Sequence, residues 1–399
     1  MAISRRQFLR RSAIAVAAAG LNQSALSRTI AFNVPARKVL ILGAGMAGLV
    51  AAYELTKLGH DVTVLEARTR PGGRVHTLRE PFSDGLFAEE GAARIPENHD
   101  LTHKYVKEFE LPLEPFYPSQ LHALRFDRGG REEVPIDGFT DAMTRNYSED
   151  LGGNPTRWTK IKGGTDMLPR AFAERLGSKI HYGSAVVKIE QDEKQARVVF
   201  LNAGKQQTMT ADNVLCTIPF SILRNVELAG LSSQKRDIIK NTRYDAVARV
   251  YLQTRRRVWE DKGLNGFAFA PGAVEIWQPT WNQPGPRGIL MSYARPGEAE
   301  RITKLKQDDR IATTLKQLDE TFGGLRESFE RGATKCWTED EWSRGAWAFV
   351  GFSNFGAATA PEGRIHFAGE HLSEWPSWMQ GALSSGLRAV KEIDEFVKV

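Results

Sequence analysis

Cysteine is almost missing from this chain: 399 residues contain two, Cys216 and Cys336. A pair so far apart does not suggest a disulfide framework, a single bridge between the two being the alternative, and no cysteine or histidine spacing fits a structural metal site. Two free, buried thiols are the expectation. Long apolar runs are missing too. No stretch offers the roughly 20 apolar residues that a membrane-spanning helix requires. The net charge is +6 and the pI near 9.2, yet Arg5, Arg6, Arg10 and Arg11 crowd into the opening residues. No later basic block is interleaved with aromatics, which argues against nucleic acid as a partner. What is present is ordinary for a globular protein: 41% hydrophobic and 26% charged residues, with 36 glycines. That length can carry two or three domains with real cores.

Residues 38–66 read KVLILGAGMAGLVAAYELTKLGHDVTVLE. Residues 39–42 are wholly apolar, as in a strand buried on both faces. Gly43, Gly45 and Gly48 follow at GxGxxG spacing, residues 47–58 keep a helical period, and residues 61–65 make a second strand closed by Glu66. Each part has a physical task. Gly43 permits the tight turn, Gly45 lets backbone approach a pyrophosphate, and Gly48 allows close helix–strand packing. The helix start at Met46 and Ala47 offers unpaired N–H groups to phosphate oxygens. Glu66 accepts hydrogen bonds from a ribose. Strand, glycines, helix, strand and acid stand in register, so a dinucleotide-binding unit is predicted.

Residues 67–77, ARTRPGGRVHT, add a second glycine pair and more arginine just past that acid. Here the chain resembles the flavin-containing amine oxidase family, and is most like its L-amino acid oxidases. A nicotinamide dehydrogenase with a glycine-rich loop is the alternative. The resemblance implies FAD, with Ala67, Arg68, Gly72, Gly73 and Arg74 continuing its site. It returns in residues 364–390, RIHFAGEHLSEWPSWMQGALSSGLRAV, where a short strand, Gly369-Glu370 and a helix follow one another. It implies Glu370 at the ribityl–phosphate portion and the helix start at Met379 beneath the ring, where a helix dipole favours negative charge on the reduced flavin. Residues 180–191 and 212–219 look like strands closing the adenine side, with Val186 as a contact. Trp337 and Gly345 in CWTEDEWSRGAWAF (336–349) align the rest, and Trp337 joins the implied cofactor contacts. Ala346 stands where some monoamine oxidases carry a tethering cysteine, so the FAD is expected to be non-covalent. The implied fold is α/β: a Rossmann-like, glutathione-reductase-like FAD-binding domain assembled from residues 36–86, 159–240 and 336–399. An α+β substrate domain with a mixed sheet takes residues 87–158 and 241–335.

The same resemblance places Trp347 and Trp378 on either side of the substrate amine, where two rings exclude water and hold a carbon near the flavin; core packing is the alternative. Arg94, in EEGAARIPENH (89–99), matches a Gly-x-x-Arg-x-Pro setting of the L-amino acid oxidases. A planar guanidinium takes a carboxylate through two parallel charge-assisted hydrogen bonds. A structural salt bridge with Glu89 or Glu90 is the competing account. The implied chemistry is oxidation of an L-amino acid to an imino acid, hydrolysed to a 2-oxo acid and ammonia, with dioxygen reduced to hydrogen peroxide.

The pattern departs from the family in two places. Residues 127–157 stand where these oxidases insert a large helical subdomain, so that insert is much reduced. Many members also hold a flavin-facing water with a lysine, and none occurs between Lys262 and Lys304; Asn282 aligns with one such position. Residues 274–293 look like two strands of the substrate sheet, in which Trp277, Gln278 and Trp281 line the pocket or pack the core. At the start, Ser4-Arg5-Arg6-Gln7-Phe8-Leu9 and the alanine-rich residues 13–20 resemble a bacterial twin-arginine signal. That resemblance implies a signal peptide over residues 1–31, cut near residues 25–31, and a periplasmic or secreted protein already loaded with cofactor; a basic tail is the other reading. The leading expectation is an L-amino acid oxidase acting on a small-molecule substrate with dioxygen. An amine or polyamine oxidase, an amino acid 2-monooxygenase, an exported flavoprotein without turnover, and a homodimeric assembly all stay open.

Overall fold

The computed structural model describes residues 36–127, 130–147, 154–270 and 274–396; the arginine-led segment 1–31 lies outside them. Its first sheet grows around the apolar strand Lys38–Leu42. Five strands run parallel in the order Ile365–Phe367, Asn213–Cys216, Lys38–Leu42, Asp61–Leu65 and Ile180–His181. They come from three separated stretches of chain. Successive side chains of a strand point to opposite faces. Val39 and Ile41 accordingly pack beneath the helices Met46–Lys57 and Met379–Asp394. Leu40 and Leu42 face Ile189, Val198 and Phe200 of an antiparallel sheet on the other side. Burial on both faces explains why the strand has no polar alternation.

The helix Met46–Lys57 begins tight against the turn before it: a Cβ on Gly48 would lie 2.0 Å from the Gly43 carbonyl oxygen. The C-terminal helix lies alongside, and a Cβ on Gly386 would come within 2.5 Å of the Ala47 oxygen.

A second, seven-stranded sheet runs in the order Phe329–Cys336, Ala248–Thr254, Gly288–Ala294, Val274–Trp277, Leu264–Ala270, His122–Asp127 and Gly130–Val134. It is mixed, since Leu264–Ala270 and His122–Asp127 pair in parallel while the other pairs are antiparallel. One face carries Ala248, Val250 and Leu252 onto Leu318 and Phe322 of the helix Gln307–Phe322. The other face presents Tyr251, Phe267, Trp277 and Tyr293 toward the first sheet. Among the described residues between 127 and 157, where no large helical insert is expected, lie the strand Gly130–Val134, the helix Ile136–Tyr147 and a 3-10 turn, Pro155–Arg157; Phe139 of the helix stacks on Phe269 at 4.6 Å. Cys216 and Cys336 are both free and buried. Among the described residues no helix is long and apolar enough to cross a membrane, and no cluster of side chains could hold a metal ion.

Candidate active site

A cavity of about 490 Å³ runs between the two sheets. One end is built by the first βαβ unit. Gly45, Met46 and Ala47 line it, and the helix they begin has no side-chain cap, so its free N–H groups face the space. A Cβ on Gly45 would meet nothing within 4 Å, which leaves room for a ligand against bare backbone. Glu66 is buried beside it. Its Oε2 accepts from the Ala44 N–H at 2.6 Å and its Oε1 from the Arg68 N–H at 2.8 Å. Burial pushes its carboxyl above the ordinary range, against those two N–H donors. Each oxygen keeps a lone pair for a hydroxyl. Gly43, Ala67, Arg68, Gly72, Gly73, Arg74 and Val186 line the same end. Arg68 ties to Asp340 and reaches the Ser343 hydroxyl at 3.1 Å. Arg74 donates from Nη1 to Glu370 Oε1 at 2.8 Å and to the Ala346 carbonyl at 2.7 Å, locking three distant stretches together.

A second helix start opens on the cavity from the far side. Trp378 precedes Met379–Asp394 without a side-chain cap, and Met379 and Ala382 line the wall with Gly369 and Glu370. Glu370 Oε2 accepts from the Ser377 N–H at 2.8 Å, which fixes the loop before that helix. Two uncapped helix starts, an acid with open lone pairs and a bare glycine backbone form a cradle for an extended dinucleotide. Gly48 does not line the cavity and serves the turn instead.

The other end is aromatic and cationic. Trp347, Trp378, Trp277, Tyr293 and Trp337 line it with Arg94, Arg249 and Arg295. Trp347 is placed by a two-residue ladder with Tyr244–Asp245, and its indole N–H donates to Asp245 Oδ2 at 2.9 Å. The Arg94 motif also has a local cause. A Cβ on Gly91 would lie 1.7 Å from the Arg74 carbonyl oxygen, so only glycine lets the chain pass there. Four residues on, Ile95 exchanges backbone hydrogen bonds with Thr159 at 2.8 and 3.0 Å, which pins Arg94 toward the cavity. Its guanidinium sits 4.6 Å from the Trp277 ring, 5.1 Å from Trp158 and 6.0 Å from Trp378. Such desolvated cation–π contacts contribute on the order of 1–2 kcal/mol each.

Arg94 is paired with neither Glu89 nor Glu90. Its Nη1 approaches Glu275 Oε2 at 3.3 Å, while Arg295 holds Oε1 at 2.8 Å and the Trp277 indole donates to Oε2 at 2.8 Å. Glu275 is fully buried; burial favours its neutral form, but Arg94 and then Arg295 hold its carboxyl below the ordinary range. Glu89 accepts from the Thr77 hydroxyl and the Thr165 N–H, and Glu90 pairs with His76 at 2.7 Å.

Asn282 does not line this cavity. Its side-chain oxygen accepts from Lys160 Nζ at 2.8 Å, on the far side of the wall formed by Trp277. Gln278 is fully buried and Trp281 binds the Phe116 carbonyl at 3.1 Å; of the three residues named in that hairpin, only Trp277 reaches the cavity. Sequence reasoning missed Arg249, Glu275, Arg295 and Asp245. Arg249 donates to the Glu89 carbonyl at 2.6 Å from the strand Ala248–Thr254, which is buried along its whole length. A charge inside such a strand was the available signal, and Glu275 between Val274 and Ile276 carried the same one.

A parallel sheet with a glycine-rich first turn, opposed by a mixed sheet across an aromatic cavity, defines a flavin-dependent oxidoreductase. The family model described as "Flavin containing amine oxidoreductase" matches residues 46–147 and 138–394, and the chain belongs to that family. A flavin-dependent L-tryptophan oxidase of Lentzea aerocolonigenes is 30% identical over 469 residues, covering 90% of this chain and 98% of that one. That alignment is longer than the present chain, so the relative carries residues with no counterpart here. An L-amino-acid oxidase of Bothrops moojeni is 25% identical, covering 90% and 89%. In fold, cyclohexylamine oxidase from Brevibacterium oxydans superposes with a TM-score of 0.77 at 20% identity, covering 90% and 99%. FAD is the cofactor, and the protein is an oxidoreductase. No cysteine lines the cavity among the described residues, and Ala346 occupies the wall where a tether was sought.

Proposed function

We propose that this chain oxidises L-amino acids to 2-oxo acids, with ammonia and hydrogen peroxide as the other products. The observation that carries the reading is Arg94. It lies in the wall of the cavity, nearly buried among three indoles, with only Nη1 engaged among the described residues, so the rest of its fork can receive a carboxylate. Bound FAD supplies the two-electron oxidation of the carbon–hydrogen bond beside the amine, with dioxygen as final acceptor. The chain's own residues do the rest. Arg94 binds the carboxylate and thereby orients the α-carbon. Trp347 and Trp378 frame the amine and keep water from it. Asp245 holds the Trp347 ring through its indole N–H. The uncapped helix start at Met379 would present N–H groups to a bound flavin, where they would favour negative charge. The relatives that oxidise tryptophan and other L-amino acids support this substrate class.

Oxidation of a simple amine is the second reading, and Glu275 is what favours it. Arg94 already has a partial counter-ion, so an amine without a carboxylate would not leave the cation wholly unpaired. Purified holoenzyme incubated with L-tryptophan and with tryptamine separates the two. Peroxide, ammonia and an indole 2-oxo acid from the amino acid alone support the first reading, whereas turnover of the amine alone overturns it. From residues 1–31 we further infer export by the twin-arginine route, checked by mature N-terminal sequencing of periplasmic protein.

A further inference from the structure

A permanent carboxylate beside a guanidinium that must receive a substrate carboxylate is a competitor with the same chemistry. Glu275 cannot leave: it is fully buried on a strand paired on both sides, opposite Phe269 and Tyr293. Left alone with Arg94, it would close into a two-pronged pair and occupy the fork. The structure shows a different arrangement. Arg295 follows the strand that carries Tyr293, so sheet register delivers it to Glu275. It takes Oε1 at 2.8 Å, and Trp277 takes Oε2 at 2.8 Å. Arg94 is left with a single contact at 3.3 Å, the longest of the three. Two guanidiniums against one carboxylate leave a surplus of one positive charge, which matches one substrate carboxylate. The arginines also differ in place: the Arg94 side chain is 9% exposed and that of Arg295 25%, so Arg295 stands on the solvent side of the pair.

Building on the carboxylate reading above, we propose that Arg295 is a positioning residue for Arg94: by holding Glu275 it keeps that carboxylate off the Arg94 fork and leaves the fork open to the substrate acid. It acts through Glu275, so removing Glu275 as well should undo the damage of removing Arg295. A merely structural role would make the double variant worse.

The test uses holoenzymes of equal FAD content, titrated with benzoate and with benzylamine and followed by the flavin absorbance band. Arg295→Met should weaken benzoate binding on the order of ten-fold, the scale of one partly buried charge pair. Benzylamine should be affected less than three-fold, and the loss against amino acids should fall on KM more than on kcat. Arg295→Lys, which keeps a cation on Glu275, should stay within three-fold of the parent. Glu275→Gln combined with Arg295→Met should recover at least three-fold of the lost benzoate affinity, since glutamine can still accept from the Trp277 indole. The proposal is overturned if Arg295→Met binds benzoate within three-fold of the parent, or if the double variant recovers less than three-fold. A parent that binds neither benzoate nor amino acids sinks the carboxylate clamp and this role with it; a parent that binds benzoate, with a single variant that binds it equally well, sinks this role alone.

Discussion

Replacing Arg94 by alanine removes the cation from a box of three indoles and leaves the cofactor end untouched. A substrate carboxylate held by two charge-assisted hydrogen bonds gains roughly 1.5–3 kcal/mol from each, so about 3–6 kcal/mol is the ceiling. The existing contact to Glu275 at 3.3 Å lowers that figure, because Arg94 partly exchanges one carboxylate for another. A net loss of about 3–4 kcal/mol is expected, which is on the order of a hundred- to a thousand-fold in kcat/KM. Tryptophan and tryptamine differ only in the acid, so the ratio of their kcat/KM values, read from peroxide release, isolates the effect. Arg94→Ala should collapse that ratio at least a hundred-fold while FAD content stays at the parent level. The amine's own rate should hold or rise, since no buried cation then waits for a partner. An unchanged ratio, or an equal fall for both compounds, would refute the reasoning and make Arg94 a structural residue.

Burial raises the Glu89 carboxyl to about 7, against the Thr165 and Thr77 donors that favour its ionised form. The folded state therefore keeps a proton that the unfolded chain releases from about pH 4.5. Its stabilising effect is full below that value and is lost as pH rises to about 7, a change of about 3 kcal/mol at ~1.4 kcal/mol per pKa unit. Glu89→Gln should remove this slope in thermal melts between pH 5 and 8; an undiminished slope counts against it. Two glycines should separate folding from cofactor binding. Gly45→Val has open space around its Cβ, so apo-protein stability should hold while FAD affinity falls more than ten-fold, measured by flavin fluorescence. Gly386→Ala puts its Cβ 2.5 Å from the Ala47 oxygen, so it should lower the melting midpoint of the apo-protein by the equivalent of about 1–3 kcal/mol. If Gly45→Val binds FAD normally, that end of the cavity has been misread.

The cofactor end was legible because its signals are local. Strand, glycine turn, helix and closing acid lie within 29 consecutive residues, each spaced by the geometry that it must adopt. Arg94 was legible for the same reason, since Gly91 and Ile95 fix its approach within a few positions. Its partner was not. Glu89 and Glu90 are near in sequence, but strand alternation and their own partners turn them elsewhere, and the acid that meets Arg94 lies 181 positions away. Only the register of a mixed sheet brings Glu275, Arg295 and Arg249 to one wall. Asn282 illustrates the same limit: alignment by neighbours placed it near the flavin, while the turn after Val274–Trp277 carries it behind that wall to Lys160.

The indole box around Arg94 has one more consequence. Trp158, Trp277 and Trp378 stand within 6.0 Å of a single guanidinium, at the place where a ligand's acid is expected to dock. Emission from such rings responds to the charge beside them and is quenched by a neighbouring isoalloxazine. Occupancy is therefore written into the protein's own ultraviolet luminescence, legible without label, turnover or oxygen.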